Sequence, residues 1–148
     1  MQVMDQELIL LELDAEDRDV ALQKMIDRLE QAGRLNDKEG YKKAVYEREK
    51  EFSTAFEGGV AIPHGKTVCA KCSSVAFARL KHPIQWDEEN TEPVRMIFLL
   101  AIPQEEQGND HLRILSALAT NIMEEEFVDK LMQAENTQQA CELLQAVV

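Results

Sequence analysis

The sequence has few cysteines and no long apolar run. Its three cysteines, Cys69, Cys72 and Cys141, are an odd number, which argues against a disulfide framework and for a reducing compartment. No apolar run approaches the roughly 20 residues of a membrane span, and the N-terminus lacks the basic-then-apolar layout of a signal peptide. We therefore expect a cytoplasmic protein that does not insert into a membrane.

Basic residues are also in short supply. There are 16 lysines and arginines against 28 acidic residues, which gives a net charge of −12. Such a surface disfavours nucleic acid and favours basic protein partners, although solubility alone also explains most of the charges. With 45% hydrophobic and 30% charged residues, the chain has the composition of a single globular domain over residues 1–148.

The N-terminal segment predicts a strand followed by a helix. Residues 7–13 are rich in apolar side chains and too short for a helix, so we expect a strand. Asp14, with Asp17 three residues later, is the expected N-cap of a helix that ends near Gly33.

A second helix follows and carries the first candidate site residue. Asn36 with Glu39 forms a capping pattern for a helix that ends near Lys50. Tyr41 lies on the apolar face of this helix, and Arg48 lies near the same stripe. An arginine in the last turn of a helix, next to its buried face, needs an anion as its partner.

The middle of the chain predicts strands. A short one covers residues 60–62, and two stronger ones cover residues 73–80 and 94–102, the last of which is apolar enough to be covered on both faces. Residues 81–92 read as a polar connection, with Trp86 packed at a strand edge.

The remaining chain predicts three helices. After a loop at residues 103–108, Asn109 or Asp110 is expected to cap a helix with His111 in its first turn. Its apolar repeat consists of Leu112, Leu115, Ala119 and Ile122. Two short helices follow at about residues 125–134 and 137–146. The order β-α-α-β-β-β-α-α-α indicates an α/β or α+β sandwich with helices over a mixed sheet.

The chain is organised around His64, which lies between a proline and a glycine. Pro63 locks its own φ and pushes Ile62 into extended geometry, so the backbone that carries His64 is restricted. Gly65 then allows a sharp turn and leaves one side of the imidazole open. We predict that His64 is an exposed nucleophile; the local pattern fits a structural histidine in a strand-end loop equally well.

His64, His111 and Arg48 together suggest a site for a phosphoryl group. His111 near a helix N-terminus lies where backbone amides favour an anion, and Arg48 adds a forked donor suited to phosphate oxygens. A neutral imidazole is a good nucleophile toward phosphorus when its other nitrogen is tied by a hydrogen bond. Ser53, Thr54 and the amides near Gly59 are candidate supporting donors, although a Ser-Thr pair also fits a simple helix stop.

These residues resemble a known family, the fructose/mannitol-type enzyme IIA domain of the bacterial sugar phosphotransferase system. The similar segments are Arg48-Glu49, Ser53-Thr54, Gly59-Val60-Ala61-Ile62-Pro63-His64-Gly65, Pro83-Ile84-Gln85-Trp86, residues 94–103 and His111-Leu112. The resemblance covers nearly the whole chain and includes the Ala-Ile-Pro-His signature of the family's active site.

The resemblance implies a mixed α/β sandwich in which His64, at a sheet edge, accepts a phosphoryl group from the phosphocarrier HPr. The group would pass to a cysteine of an enzyme IIB domain and reach the membrane permease IIC only indirectly. The residues matching His111 and Arg48 flank the phosphohistidine in that family, and the residue matching Thr54 lies in the same pocket. No metal or organic cofactor is implied. Glu57 stands where many members have glycine, which affects the expected pocket rim.

Other interpretations remain open. Cys69 and Cys72 form a Cys-x-x-Cys motif, for which a redox pair or a zinc site is less favoured than two reduced thiols, because the motif leads into a strand and lacks a second ligand pair. For the whole chain, the candidates are a sugar-uptake phosphotransferase component, a nitrogen-type regulatory phosphocarrier, and a non-catalytic interaction domain.

Overall fold

The computed structural model describes residues 2–90, 92–105 and 109–148. The strands are β1 (Ile9–Leu13), β2 (Ala55–Phe56), β3 (Val60–Ala61), β4 (His64–Thr67), β5 (Ser74–Ile84) and β6 (Val94–Pro103). The helices are α1 (Arg18–Gln31), α2 (Lys38–Glu51), α3 (Asp110–Ile122), α4 (Glu125–Gln133) and α5 (Thr137–Gln145). The predicted mixed sheet flanked by helices is confirmed.

β6 is the central strand of the sheet. On one side it pairs antiparallel with β5, which pairs in parallel with β1. On its other side β6 pairs in parallel with β3 and, further along, with β4, while β2 pairs antiparallel with β3. Ala61 lies opposite Ile97 and His64 lies opposite Leu100, so residues 62–63 interrupt two strands that share one neighbour.

Both faces of β6 are buried, as its continuous apolar sequence predicts. Ile97, Leu99 and Ala101 belong to the core formed with α1 and α2, whereas Phe98 and Leu100 belong to the core formed with α3, α4 and α5. Because successive side chains of a strand point to opposite faces, this one strand contributes to both hydrophobic layers.

The two N-terminal helices begin later than their predicted caps. The N-cap of α1 is Asp17, whose carboxylate accepts a hydrogen bond from a first-turn amide at 2.9 Å, so the prediction of Asp14 was wrong. Similarly, the N-cap of α2 is Asp37, and the side-chain amide of Asn36 donates to the carbonyl of Val68 at 3.1 Å. A tertiary contact with the turn before β5 therefore replaces the expected capping interaction.

Two strands were missed, and a third is longer than predicted. β2 and β4 are too short to show a periodic pattern, and they exist because they pair with β3 and β6. β5 extends to Ile84, so part of the predicted polar connection at residues 81–92 is strand. The predicted loop at residues 103–108 begins with the last residue of β6, and residues 106–108 lie outside the described residues.

The face of α3 that packs on the core only partly coincides with the predicted apolar repeat, of which Leu115 and Ile122 are partly buried against the core. Leu112 is 65% exposed, whereas Ile114 and Leu118 are fully buried in the core. Leu115 and Ala119 line a cavity beside β4. The helix carries apolar residues on two adjoining stripes, and the periodicity alone did not show which stripe is fully buried in the core and which one borders the cavity.

The C-terminal helices lie where the sequence predicts them. α5 begins after Asn136, whose side chain accepts a hydrogen bond from the amide of Gln139 at 2.9 Å. At the end of α4, Arg79 of β5 donates to the carbonyls of Leu131, Met132 and Ala134. This contact places a cation at the negative end of the helix dipole. Within the described ranges, no helix is long and apolar enough to cross a membrane.

The turn before β3 allows a matched test of backbone strain. Gly59 has a φ of +78°, and a Cβ there would lie 2.9 Å from the carbonyl oxygen of Pro93, whereas Gly58, with a φ of +92°, has open space around it. We expect Gly59→Ala to lower the free energy of unfolding by about 2 to 4 kcal/mol and Gly58→Ala by about 1 kcal/mol, since only the first adds a clash to the strain. Urea denaturation measures both losses; equal values would contradict the clash.

Candidate active site

His64 is the first residue of β4, directly after the interruption at residues 62–63. The carbonyl of Pro63 accepts a hydrogen bond from the amide of Leu100 at 3.0 Å, so the interruption remains attached to β6. His64 is only 7% exposed, and the prediction of an exposed imidazole was therefore wrong. The ring contacts Arg48 of α2 and His111 of α3.

Gly65 lies inside β4, so the prediction that it makes a sharp turn was also wrong. The absence of a side chain lets α2 approach the strand: a Cβ at Gly65 would lie 3.1 Å from Tyr41 Cε1 and 3.2 Å from Val45 Cγ2. The hydroxyl of Tyr41 donates to the carbonyl of Leu100 at 2.6 Å. Because α2 also carries Arg48, this close packing brings the guanidinium to His64.

Hydrogen bonds determine which imidazole nitrogen of His64 carries the proton and which one presents a lone pair. Nδ1 lies 3.1 Å from the carbonyl oxygen of Ile62, which can only accept, so Nδ1 carries the proton. Nε2 then presents its lone pair, which accepts a hydrogen bond from Nε of Arg48 at 3.2 Å. The backbone thus supplies the tautomer lock that a nucleophilic imidazole requires.

The surroundings of His64 favour its neutral form. Burial lowers the pKa of His64 below its ordinary value of 6.5, and the electrostatic effects of the neighbouring Arg48 and His111 lower it further. The hydrogen bond to Ile62 and the carboxylate of Glu51 act in the opposite direction without reversing the shift. At pH 7 the ring is therefore predominantly neutral, with Nε2 unprotonated.

Arg48 lies in the last turn of α2, where two contacts with Phe52 orient it. Its Nη1 donates to the carbonyl of Phe52 at 3.1 Å, and its guanidinium carbon lies 5.6 Å from the centre of the Phe52 ring. The predicted proximity of Arg48 to His64 is thus present as a direct hydrogen bond.

His111 reaches the site from the first turn of α3. The ring centroids of His64 and His111 are 5.1 Å apart, with 50° between the ring planes. The N-cap of α3 is Asn109, at a φ of +60°. A group bound to Nε2 of His64 would therefore lie near the positive end of the α3 dipole.

A cavity of about 240 Å³ adjoins the imidazole of His64. Its lining combines polar groups with apolar side chains: Arg48, Ser53, Thr54, Phe56, Ile62, His64, Leu115 and Ala119. The sequence did not indicate the apolar wall formed by Phe56, Leu115 and Ala119. The spacing of Leu115 and Ala119 on one helical face was visible as part of an apolar repeat, but a repeat does not show that its residues border a cavity.

The predicted supporting residues Ser53 and Thr54 line the cavity, but their hydroxyls already have partners. Thr54 is buried, and its hydroxyl donates to the carboxylate of Glu49. Oγ of Ser53 accepts a hydrogen bond from the side-chain amide of Asn90 at 2.9 Å. Because a hydroxyl has one proton, Thr54 has to release Glu49 before it can donate to a phosphoryl oxygen.

Glu49 is a buried residue that the sequence did not single out. It is 8% exposed, and besides the Thr54 hydroxyl it accepts hydrogen bonds from the amide of Thr54 at 3.3 Å and from Nε1 of Trp86 at 3.2 Å. Trp86 is itself 2% exposed and packs more deeply than at a strand edge. Glu49 therefore ties the end of α2 to the strand segment that leads to His64. The only sequence signal was its place next to Arg48.

Gly59 supports the turn before β3. Its carbonyl accepts hydrogen bonds from the amides of Arg95 at 2.6 Å and Met96 at 3.2 Å. Among the described residues, those that line the cavity include neither Gly59 nor Glu57, and Glu57 is exposed. Gly59 therefore does not line the site beside the imidazole of His64, whereas Arg48 and His111 contact that ring.

The cysteines do not join this site. Cys69, Cys72 and Cys141 are not joined in disulfide bonds. The backbone carbonyl of Cys69 accepts hydrogen bonds from the amides of Asn36 at 2.7 Å and Asp37 at 3.3 Å, at the start of α2. In the part of the chain that the structure describes, no group of three or more histidine, cysteine or acidic side chains is arranged to hold a metal ion.

The geometry suits transfer of an anionic group to a nitrogen. A neutral Nε2, a guanidinium in contact with it and a helix N-terminus beside it provide a nitrogen lone pair and positive charge at one place. The family model described as "Phosphoenolpyruvate-dependent sugar phosphotransferase system, EIIA 2" matches residues 2–147. The chain belongs to this family. EIIA components are phosphotransferases that carry a phosphoryl group on a histidine, so the resemblance inferred from the sequence is confirmed.

EIIA relatives with different roles match the chain at similar identity. A "PTS system fructose-specific EIIA component" from Haloferax volcanii is 37% identical over 142 residues, covering 96% of this chain and 92% of that protein. A fructose-specific EIIABC component from Bacillus subtilis is 33% identical over 135 residues, covering 91% of this chain and 21% of that protein. A "Nitrogen regulatory protein" from Bradyrhizobium diazoefficiens is 33% identical over 132 residues, covering 89% and 85%.

Solved EIIA structures share the fold. Nitrogen regulatory protein IIA-Ntr from Neisseria meningitidis superposes with a TM-score of 0.86 at 27% identity, covering 96% of each chain. Enzyme IIAMTL of Escherichia coli, solved in complex with phosphorylated enzyme IIBMTL, superposes with a TM-score of 0.80 at 22% identity, covering 97% of each chain, and shows the fold alone.

The contact between Arg48 and His64 predicts a measurable change in titration. We expect Arg48→Gln to raise the pKa of His64, because a nearby positive charge that disfavours the imidazolium is removed. NMR titration of the His64 ring protons measures the change. Lys50→Gln removes an equal charge from the exposed side of the same helix end and should leave the titration within error. An identical shift in both variants would contradict a specific contact.

Proposed function

We propose that His64 is the phosphoryl-carrying residue of this EIIA component, that it accepts the group from phosphorylated HPr, and that it passes the group to a cysteine of an enzyme IIB domain in sugar uptake of the fructose or mannitol type. The observation that carries the proposal is Nε2 of His64, a neutral nitrogen locked in one tautomer and held 3.2 Å from Nε of Arg48.

Two displacements at phosphorus account for the transfer. In the first, the Nε2 lone pair forms the bond to phosphorus while the P–N bond of the donor phosphohistidine breaks and its electron pair returns to the donor ring. The proton of His64 stays on Nδ1, against the carbonyl of Ile62. In the second, a thiolate of IIB attacks phosphorus, and the electron pair of the N–P bond returns to Nε2. The burial of His64, 7% exposed, limits competing hydrolysis.

Arg48 and His111 stabilise the charge of the transferring group. Once the Nε2 lone pair bonds to phosphorus, Nε of Arg48 loses its acceptor and donates instead to a phosphoryl oxygen, which lies within reach because the two nitrogens start 3.2 Å apart. His111, whose ring centroid is 5.1 Å from that of His64, provides a second donor on the α3 side. Thr54 contributes if its hydroxyl leaves Glu49, and Ser53 lies at the cavity wall.

The partners follow from the same site and from the acidic surface. The EIIABC name of the Bacillus subtilis relative and the complex of enzyme IIAMTL with phosphorylated IIBMTL support a IIB domain as acceptor. A net charge of −12 favours basic protein partners over nucleic acid. Contact with the permease IIC would then be indirect, through IIB, and the component would work in the cytoplasm.

A regulatory function is the second candidate. It is favoured by the match with the nitrogen regulatory protein of Bradyrhizobium diazoefficiens over 85% of that protein, and by the TM-score of 0.86 with IIA-Ntr of Neisseria meningitidis. In this case His64 accepts the group in the same way, and the phosphorylated and free forms bind different proteins. Transfer of label from this protein to the cysteine of a fructose-type IIB domain supports the transport function; retention of label in its presence favours the regulatory one.

The central test is phosphorylation by the purified relay. We expect His64→Ala to fold and to take no label from phosphorylated HPr, because none of the other described residues that line the cavity has an imidazole. His82→Ala, which removes an exposed histidine of β5, should be labelled at the wild-type rate. Label that persists in His64→Ala would refute the assignment of the nucleophile.

The role of His111 has a separate test. His111→Ala should still take label on His64, about tenfold or more slowly, because one donor to the transition state is lost while the nucleophile remains. Onward transfer to IIB should be impaired as well. Rapid-quench measurements of both half-reactions give the two rates, and wild-type values in both would remove His111 from the mechanism.

A further inference from the structure

Phe52 is an exposed aromatic residue with a specific contact in the site. It is the C-cap of α2, with extended backbone at φ −151° and ψ 151°, and its side chain is 71% exposed. The guanidinium carbon of Arg48 lies 5.6 Å from the centre of its ring. A ring in this position is attracted electrostatically to the cation, whereas it buries too little apolar surface for the hydrophobic effect to explain its placement.

Two different parts of Phe52 hold the same guanidinium. The backbone carbonyl accepts a hydrogen bond from Nη1 of Arg48 at 3.1 Å, and the ring packs against the guanidinium. Nε of Arg48, which takes part in neither contact with Phe52, donates to Nε2 of His64 at 3.2 Å. Phe52, Arg48 and His64 therefore form one continuous chain of contacts from the protein surface to the nucleophile.

We propose that Phe52 is a positioning residue for phosphoryl transfer, whose ring and carbonyl hold Arg48 in place while Nε of Arg48 changes its acceptor from His64 to a phosphoryl oxygen. The inference rests on the proposed function of His64 and assigns a residue that acts on the reaction only through Arg48.

The exchange of acceptors explains why such support is needed. When the Nε2 lone pair bonds to phosphorus, the hydrogen bond from Arg48 to His64 is lost. An arginine has many rotamers, and the loss of one anchor would free the side chain at the moment when its charge is required. The contacts with Phe52 use Nη1 and place the guanidinium carbon over the ring, and neither uses Nε, so they persist through the exchange.

An exposed phenylalanine beside the site also fits a different role, direct contact with a partner protein. The two roles differ in the isolated protein. A docking residue affects the affinity for HPr or IIB and leaves His64 unchanged when no partner is present. A positioning residue alters the environment of His64 by itself, because Arg48 is among the charges that lower the pKa of His64, together with His111 and against Glu51.

The test compares Phe52→Ala with Phe52→Tyr, which keeps the ring, and with Val68→Ala as a control. Val68 is 68% exposed and lies in the turn after β4. Unfolding transitions confirm that each variant folds. NMR titration of His64 is recorded without partners, and kcat and KM for phosphorylated HPr are measured separately.

We expect Phe52→Ala to raise the pKa of His64 by a few tenths of a unit and to lower kcat about two- to fivefold. Loss of an exposed cation–π contact lowers by about that factor the fraction of molecules in which Arg48 is held beside His64. Phe52→Tyr should restore both values, and Val68→Ala should match the wild type. KM should change less than kcat.

An unchanged titration or an unchanged kcat in Phe52→Ala would overturn the inference, even if KM rises, because a higher KM alone is the result of docking. Equal effects in Val68→Ala would overturn it as well. If the wild-type protein itself takes no label from phosphorylated HPr, the proposed function fails; if the wild type is labelled and Phe52→Ala equals it, only the assignment of Phe52 fails.

Discussion

The pairing of β3 and β4 with the same edge of β6 determines where His64 lies. Two parallel strands follow each other along one neighbour, and residues 62–63 interrupt them while the carbonyl of Pro63 stays bonded to the amide of Leu100. At this interruption the carbonyl of Ile62 is left to accept from Nδ1 of His64. The restricted backbone around Pro63 thus determines both the position of the ring and its tautomer.

Burial suits His64 to the role of nucleophile that we propose for it. The imidazole is only 7% exposed, and this burial lowers its pKa, which keeps Nε2 unprotonated at neutral pH. In the proposed phosphoryl carrier, the same burial would limit hydrolysis of the phosphorylated form. What distinguishes it from a structural residue is its neighbourhood. A guanidinium contacts Nε2, a second imidazole lies at 5.1 Å, and the ring borders a cavity.

The position of α2 over β4 depends on interactions at both of its ends. Near its start, the connection between β4 and β5 bonds to the amides of Asn36 and Asp37; near its end, Glu49 accepts hydrogen bonds from Thr54 and Trp86. Between them, the missing side chain of Gly65 allows close contact with Tyr41 and Val45. This packing gives Arg48 a defined place, since a long side chain on a mobile helix would not keep its charge at one nitrogen.

The sequence by itself determined the class of fold, the doubly buried strand β6, the existence of all α-helices and the identity of His64, Arg48 and His111 as partners, because hydrophobic periodicity and a rigid Pro-His-Gly segment are local properties. Only the tertiary structure decided which stripe of α3 enters the core, why Gly65 is a glycine, which partner the Thr54 hydroxyl takes, and how far His64 is buried. Those outcomes depend on groups distant in the chain. Packing determines which carbonyl the Asn36 amide bonds, which helix covers Gly65 and which carboxylate accepts the Thr54 hydroxyl. Local spacing carries no information about these contacts.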